Sequence, residues 1–445
     1  MMLVVSEVQK PLMVKRPLTN TLTVSFITKI AVTEKNFTIS MIVSIIFLLA
    51  VFFTTDIYCC TSAIFTGKAT PDGRPLMWKH RDTGEENNKV EFFRGPKYSF
   101  IALINSPGDL KEAWCGTNDA GFSIMNTASY NLNYDNVPSE MMDKEGVVMY
   151  NALGECKTLA DFEKLLTRMQ KQKPMGVEGN FGVIDAYGGA AYYEVGNETW
   201  TKIDVNDPKI APQGYLVYSN HSYTGKLDDG MGYIRYTNAE YIIKNHIGRA
   251  GEITPKFITQ QLSRSFYHSL LGIDLVKDND IVQRGSGWFI DQDFIPRKSS
   301  TSSMGIAGVK EGENPLNTAM WTILGYPPVS VAVPLFVKAG ENQPYWMIEG
   351  KDSENALMCD MALELKHKIF PVKRGNGNRY MNFNLIYNPQ GTGYMQQLRP
   401  LENKIFKMSE KFMKENNNKA YDKSAFDNFY NNMFEEIKAA YSCLE

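Results

Sequence analysis

Cys60-Thr-Ser-Ala-Ile-Phe-Thr-Gly-Lys-Ala-Thr-Pro-Asp-Gly-Arg-Pro-Leu-Met-Trp-Lys-His-Arg-Asp82 is the stretch on which the reading of this chain turns. The run Cys60–Phe65 predicts a strand, Pro71-Asp72-Gly73 a turn, and Pro75–Lys79 a second strand running back. The return strand leads into four charged or titratable residues, Lys79, His80, Arg81 and Asp82. A hairpin of this kind brings that cluster back beside Cys60. If Cys60 is the first residue of the mature chain, its thiol has a base of its own. An α-amine titrates near ~7.7–8.0, so part of it is free at neutral pH to take the thiol proton. Neighbouring cations favour the thiolate, and either Lys79 or Arg81 could be that cation. Asp82 is then placed to orient the amine.

The residues ahead of Cys60 fit such a start. The one strongly apolar run, Met41 to Phe53, is too short for a membrane span of ~20 residues. Lys29 and Lys35 precede it, and the more polar Thr54-Thr55-Asp56 follows it. Basic, apolar, polar is the order of a secretory signal. Cleavage after Cys59 puts a small residue at −1 and Ile57 at −3. Residues 1–59 are therefore expected to be an upstream extension and signal peptide, with Met41 an alternative start, and the mature protein to be exported to the periplasm or outside the cell. The alternative is a membrane-anchored lipoprotein with Cys60 or Cys59 acylated and no free amine to act as base.

Composition excludes several classes. Across 445 residues, 43% are hydrophobic and 22% charged, as in ordinary globular proteins, and a formal net charge of −2 offers no basic field for nucleic acid. Among six cysteines there is no CxxC spacing, and the five histidines form no HExxH, so neither metal nor cofactor is predicted. With Cys59 removed and Cys60 catalytic, Cys115, Cys156, Cys359 and Cys443 remain, enough for two disulfides that the sequence cannot pair.

Strands are predicted at Ser62–Phe65, Phe100–Asn105, Phe122–Asn126, Phe181–Ala186, Ala190–Val195, Tyr215–Ser219 and Val329–Val337. Helices are predicted at Leu159–Lys171, Thr237–His246, Thr254–Ser265, Leu401–Glu415 and Ser424–Tyr441, with a solvated break over Lys414–Tyr421. Strands and helices come in blocks, which favours α+β with antiparallel sheets.

Several segments, in a shared order through residues 60–340, resemble cysteine-type N-terminal-nucleophile hydrolases. These are the penicillin V acylases and bile salt hydrolases, the acyl-CoA:6-aminopenicillanate acyltransferase group and related dipeptidases. Beyond the Cys60–Asp82 stretch, Gly116-Thr-Asn-Asp-Ala-Gly121 is similar to their hairpin, and Asn180 to Glu194 to their paired central strands. Tyr218-Ser-Asn220-His-Ser matches the motif whose Asn lines the oxyanion hole, and Arg235-Tyr-Thr-Asn-Ala-Glu240 the arginine-led helix after it. Gly308-Val-Lys-Glu-Gly-Glu-Asn-Pro and Trp321 with Val333-Pro-Leu resemble the acyltransferase group best. Two departures stand out. Lys79 occupies the place of an Arg, and Cys59 replaces the Gly before the nucleophile of self-processing acyltransferases, which makes signal peptidase the more attractive route to Cys60.

The resemblance implies a four-layer αββα sandwich, two stacked antiparallel sheets flanked by helices. Residues 60–445 would form a single catalytic domain with a helical C-terminal segment from about 400. It implies hydrolysis or acyl transfer of a linear amide by Cys60 through a thioester, with Asn220 stabilising the oxyanion. Asp82 and a cation, Arg81 or Arg235, would align amine and thiolate, and Asn126 is a further oxyanion candidate. The expected partner is a small-molecule amide: a bile salt, a β-lactam side chain, an N-acyl amino acid or a dipeptide. No nucleic acid or membrane partner is expected, and a homo-oligomer is possible. The rival reading is a non-enzymatic surface lipoprotein or binding module on the same fold.

Overall fold

Two antiparallel sheets face each other, and the hairpin at Cys60 lies in one of them. In a computed structural model the described residues are 59–108, 111–133, 135–350, 355–417 and 419–444. The segment read as extension and signal therefore lies outside them, apart from Cys59. The first sheet holds β1 (Thr61–Phe65) and β2 (Leu76–Asp82). The second is a meander of β3 (Asn88–Arg94), β4 (Ser99–Asn105), β5 (Cys115–Asn118), β6 (Ser123–Ala128), β7 (Gly179–Ile184), β8 (Ala190–Val195) and β9 (Trp200–Asp204) in sequence order. The chain then returns to the first sheet with β10 (Tyr215–Tyr218), β11 (Ser300–Ala307), β12 (Ala319–Leu324) and β13 (Val333–Leu335). That sheet is ordered β10-β1-β2-β11-β12-β13.

Alternation along the strands builds the layers. On β4, Phe100 and Ala102 face outward to a cluster with Val148, Met149 and Leu153 of α1 (Glu145–Glu155) and Phe162 and Leu166 of α2 (Leu159–Met169), whereas Ile101 and Leu103 belong to the inter-sheet core. The sheets come close at Gly182, where a Cβ would sit 2.7 Å from the Met125 side chain and 3.2 Å from that of Ile64 across the interface. On the far side of the first sheet, the Trp78 indole donates to Ser263 Oγ at 2.9 Å. There α3 (Tyr233–Gly248) covers β10, and α4 (Leu357–Ile369) covers β12, where a Cβ on Gly325 would meet that of Ala362 at 2.5 Å. The C-terminal helices α5 (Tyr394–Asn416) and α6 (Lys423–Tyr441) close that face, with Trp321 stacked on Phe406 at 4.2 Å. The fold is α+β, with two stacked antiparallel sheets and helices on both outer faces.

Several expected elements differ. The helix expected at Thr254–Ser265 is one short turn, Pro255–Phe257, running into a π turn over Ile258–Leu262. The wide turn is closed by the Ser263 amide and hydroxyl, both donating to the Ile258 carbonyl, while the same hydroxyl receives Trp78. The strand expected over Val329–Val337 shrinks to β13 because Pro327–Val329 forms a 3₁₀ turn and the Pro327 and Ser330 carbonyls are taken by Arg264. β11, a run of small polar residues next to β2, shows no alternation in the sequence and was not expected. Cys115, Cys156, Cys359 and Cys443, the four left for two disulfides, are free thiols. Cys115 lies in the inter-sheet core and Cys156 in the outer helix cluster, so the layers keep them apart.

Candidate active site

Cys60 immediately precedes β1, and the register Thr61↔His80 to Phe65↔Leu76 brings the end of β2 alongside it. The alternation that points Ser62 at Tyr192 of the opposite sheet (Oγ to OH, 3.0 Å) places Cys60, Lys79 and Arg81 on the inter-sheet face. His80 and Asp82 take the other face. The Cys60 thiol is buried, 3.9 Å from the Asp82 carbonyl oxygen, and Lys79 and Arg81 both lie within its electrostatic range.

The backbone around Cys60 is clamped from below. Arg235, fully buried on α3, donates from Nη1 to the carbonyls of Cys59 (3.0 Å) and Cys60 (2.8 Å) and to Thr61 Oγ1 (2.7 Å). Ser219 Oγ adds a bond to the Cys60 carbonyl at 3.1 Å. Arg235 Nη2 reaches Asn220 Oδ1 at 2.8 Å, and Asn220 Nδ2 donates to the Ala128 carbonyl at 2.8 Å. One Nδ2 proton of Asn220 is left over from that bond. Arg235 therefore touches the main chain of Cys60 rather than its sulfur.

Asp82 differs most from expectation. It was expected to orient the α-amine of Cys60, beside a cation, Arg81 or Arg235, that helps to align amine and thiolate. Its carboxylate is instead held by Arg297, from Nε at 3.1 Å and Nη2 at 2.8 Å, and by Ser300 Oγ at 2.6 Å. Arg297 Nη2 also reaches the Cys59 carbonyl at 2.9 Å, so Asp82 meets the amino side of Cys60 through this guanidinium. Burial opposes the charge on Arg297, but Asp82 and Cys59 outweigh it and hold its pKa above the usual value. Arg81 points the other way: Nη2 donates to Asn105 Oδ1 at 2.7 Å and the guanidinium lies 5.0 Å from the Trp114 ring centre. Successive strand residues face opposite sides, so Arg81 cannot serve its neighbour Asp82. His80 donates to or accepts from Ser300 Oγ at 2.9 Å, and burial lowers its pKa to about 4, so it is neutral at pH 7.

Asn126 lies on β6, and its Oδ1 accepts from Lys79 Nζ at 2.6 Å. Beyond Ala128 a cavity of about 710 Å³ is lined by Ser129, Tyr130, Asp143, Glu145 and Glu178 among others. Burial raises the Glu145 pKa to about 8, with Asp143 and Glu178 adding to the rise. This wall is rich in carboxyl groups and suits an uncharged or cationic part of a ligand better than an anion. Among the described residues no group of three or more His, Cys, Asp and Glu side chains could hold a metal ion, and no helix is long and apolar enough to cross a membrane.

Residue-by-residue reading missed Arg297 and Ser300. No local motif marks them, since Arg297 lies 215 residues from Asp82 in the chain. Ser219, next to Asn220, could have been found from the motif it stands in.

No protein-family model matches the chain, and no curated protein matches it. Among solved structures it is similar to a mutant of conjugated bile acid hydrolase from Clostridium perfringens, at 11% identity and a TM-score of 0.34, over 60% of this chain and 89% of that one. It is also similar to penicillin V acylase from Agrobacterium tumefaciens, at 12% identity and a TM-score of 0.32, over 62% and 86%. At this level the likeness adds nothing to the geometry.

Proposed function

We propose that this chain is a hydrolase of linear amides with Cys60 as its N-terminal nucleophile. The observation that carries the reading is the seating of Cys60. Its main chain is clamped by Arg235 and Ser219, its thiol faces Lys79 and Arg81, and the Asp82–Arg297 pair stands on its amino side. In the mature enzyme the α-amine takes the thiol proton and Cys60 Sγ attacks the amide carbonyl. Asn220, with Asn126 or a backbone N–H, stabilises the oxyanion; one such donor is worth ~3 kcal/mol. The C–N bond breaks as the α-ammonium protonates the leaving amine. Water, activated by the amine, then cleaves the thioester and releases the acid. Bile salt, β-lactam side chain, N-acyl amino acid and dipeptide amides remain the substrate set, and export is part of the reading.

One observation bears on how Cys60 is freed. The Cys59 carbonyl oxygen accepts from Arg235 (3.0 Å) and Arg297 (2.9 Å), a pair of cations suited to an oxyanion at the scissile peptide. It favours self-cleavage, in which Cys60 Sγ attacks the Cys59 carbonyl carbon, the peptide C–N bond breaks and water resolves the thioester. This is preferred here to signal peptidase.

Intact mass and turnover, measured together on the wild type and C60A, test both points. The wild type should begin at Cys60 and hydrolyse members of an amide panel. C60A should retain the 59–60 bond and show no turnover. A C60A protein with near wild-type activity would end the nucleophile assignment. A lipid-modified Cys60 would favour the lipoprotein, and C60A cut after residue 59 would return the cleavage to signal peptidase.

A further inference from the structure

The cavity beyond Ala128 adjoins the candidate nucleophile. Ala128 lines it, and the Ala128 carbonyl is the group that Asn220 Nδ2 holds at 2.8 Å. Tyr130, also in its wall, feels the charges of Cys59, Cys60 and Arg235. Four carboxyl groups line the cavity, from Asp135, Asp143, Glu145 and Glu178, and none of the described residues in the wall is basic.

The chain holds these carboxyls by amides and not by cations. Glu178 Oε1 accepts from the amides of Leu132 (2.7 Å) and Asn133 (3.1 Å), and Asp135 Oδ2 from Asn197 Nδ2 (3.0 Å). Glu145 Oε1 accepts from the Glu178 amide at 2.8 Å, and Asp143 lies within hydrogen-bonding reach of Glu145. Lys79 is in electrostatic range of Glu145 and Arg81 of Asp143, but both are turned elsewhere. Lys79 Nζ donates to the Trp114 carbonyl (2.5 Å) and Asn126 Oδ1 (2.6 Å), and Arg81 Nη2 to Asn105 Oδ1 (2.7 Å). Glu145 is only 6% exposed, so water does little for its charge. Burial raises the pKa values of Asp143 and Glu178, as it raises Glu145 to about 8. Carboxyls gathered in a cavity without a counter-charge hold on to protons, and a cation that enters takes the place of those protons.

We propose that this cavity is the specificity pocket of the site and takes a positively charged group of the substrate, an ammonium or guanidinium, among Asp143, Glu145 and Glu178. The proposal rests on the reading of Cys60 as nucleophile. Bile salts carry no such group; amides of diamines and of basic amino acids do.

Two matched series of amides test it on the purified protein at pH 7. Aminocoumarin amides of acetyl-lysine, acetyl-norleucine and acetyl-glutamate vary the charge on the acyl side. Phenylacetyl amides of 1,4-diaminobutane, butylamine and 4-aminobutyrate vary it on the amine side. In at least one series the cationic member should exceed the neutral one about tenfold or more in kcat/KM, and the anionic member should fall below both. E145Q and D143N should each lower the ratio of cationic to neutral about threefold or more, mostly through KM. Asp143 is exposed, so D143N decides the point if E145Q fails to fold. A neutral or anionic preference in both series would overturn the proposal, as would folded variants that keep the wild-type ratio. If neither series is hydrolysed, calorimetric titration with the diaminobutane and butylamine amides takes over. Tighter binding of the diaminobutane amide, weakened by D143N or E145Q, would then keep the pocket and strike down the reading of Cys60. Equal or weaker binding of that amide would overturn the pocket itself.

Discussion

At Asp82 the proposed chemistry meets an ion pair that the chain assembles from distant parts. Its side chain has no exposure and that of Arg297 has 11%, so water screens the pair little. Removing one member leaves the other buried without its counter-charge, a loss of roughly 3–5 kcal/mol, while replacing both by apolar groups is far better tolerated. D82N should therefore lower both the thermal midpoint and kcat. The double variant D82N/R297M should regain most of the midpoint and stay poorly active. Thermal melts and single-substrate kinetics on the three proteins separate the effects. If activity returns with stability, the pair only supports the fold and has no part in holding the amino end of Cys60. The sequence pointed to Asp82 through its place after Lys79-His80-Arg81. It could not choose its cation, because the adjacent Arg81 is carried to the opposite face of β2 and the true partner comes from the loop before β11.

Among the elements, the hairpin of β5 and β6 shows how a short motif is held in register. Asn118 Oδ1 accepts from the amides of Ala120 (3.1 Å) and Phe122 (3.0 Å), and Nδ2 donates to the carbonyls of Leu153 (2.8 Å) and Cys156 (2.7 Å) at the end of α1. The turn closes at Gly121 with φ +78°, where a Cβ would lie 2.9 Å from that of Ala186. N118A strips partners from buried groups on two elements at once and should destabilise the protein by about 2 kcal/mol or more. Urea unfolding measures this; a change below about 0.5 kcal/mol, the range of ordinary surface substitutions, would mean that water replaces the amide at no cost. The hairpin was legible through the resemblance of Gly116–Gly121 to a family motif. The π turn at Ile258–Leu262 was not, because the Ser263 hydroxyl that helps to close it is also fixed by Trp78 and by Ser303 Oγ at 2.9 Å, on strands elsewhere in the chain.

At the scale of the whole molecule, one buried pair ties the C-terminal helices to the first sheet. Arg264 meets both oxygens of Glu402 on α5 at 2.6 Å, and Glu402 also accepts from the Ala332 amide at 2.9 Å. Burial works to raise the Glu402 pKa, but Arg264 and that amide prevail and the net shift is downward. A carboxyl depressed in the folded state contributes stability above its unfolded pKa of about 4.3 and loses it as pH falls through the lower folded value. The wild type should thus lose stability below about pH 4. E402Q should be less stable at pH 7 by roughly 3–5 kcal/mol and show a shallower acid slope. Urea melts from neutral to acid pH check this, and parallel slopes for the two proteins would remove Glu402 from the acid response. By itself the sequence determined the α+β class and the hairpin returning Lys79 to Asp82 beside Cys60, and these rest on local periodicity and turn residues, which a linear reading retains. Asn220 and Arg235 became candidates through the family resemblance. Only the tertiary structure decided that Arg297 holds Asp82, that Arg235 clamps main chain rather than sulfur, and that Lys79 donates to Asn126. Each of these depends on which face of a strand meets which distant element, and packing of the two sheets and their helices sets that choice.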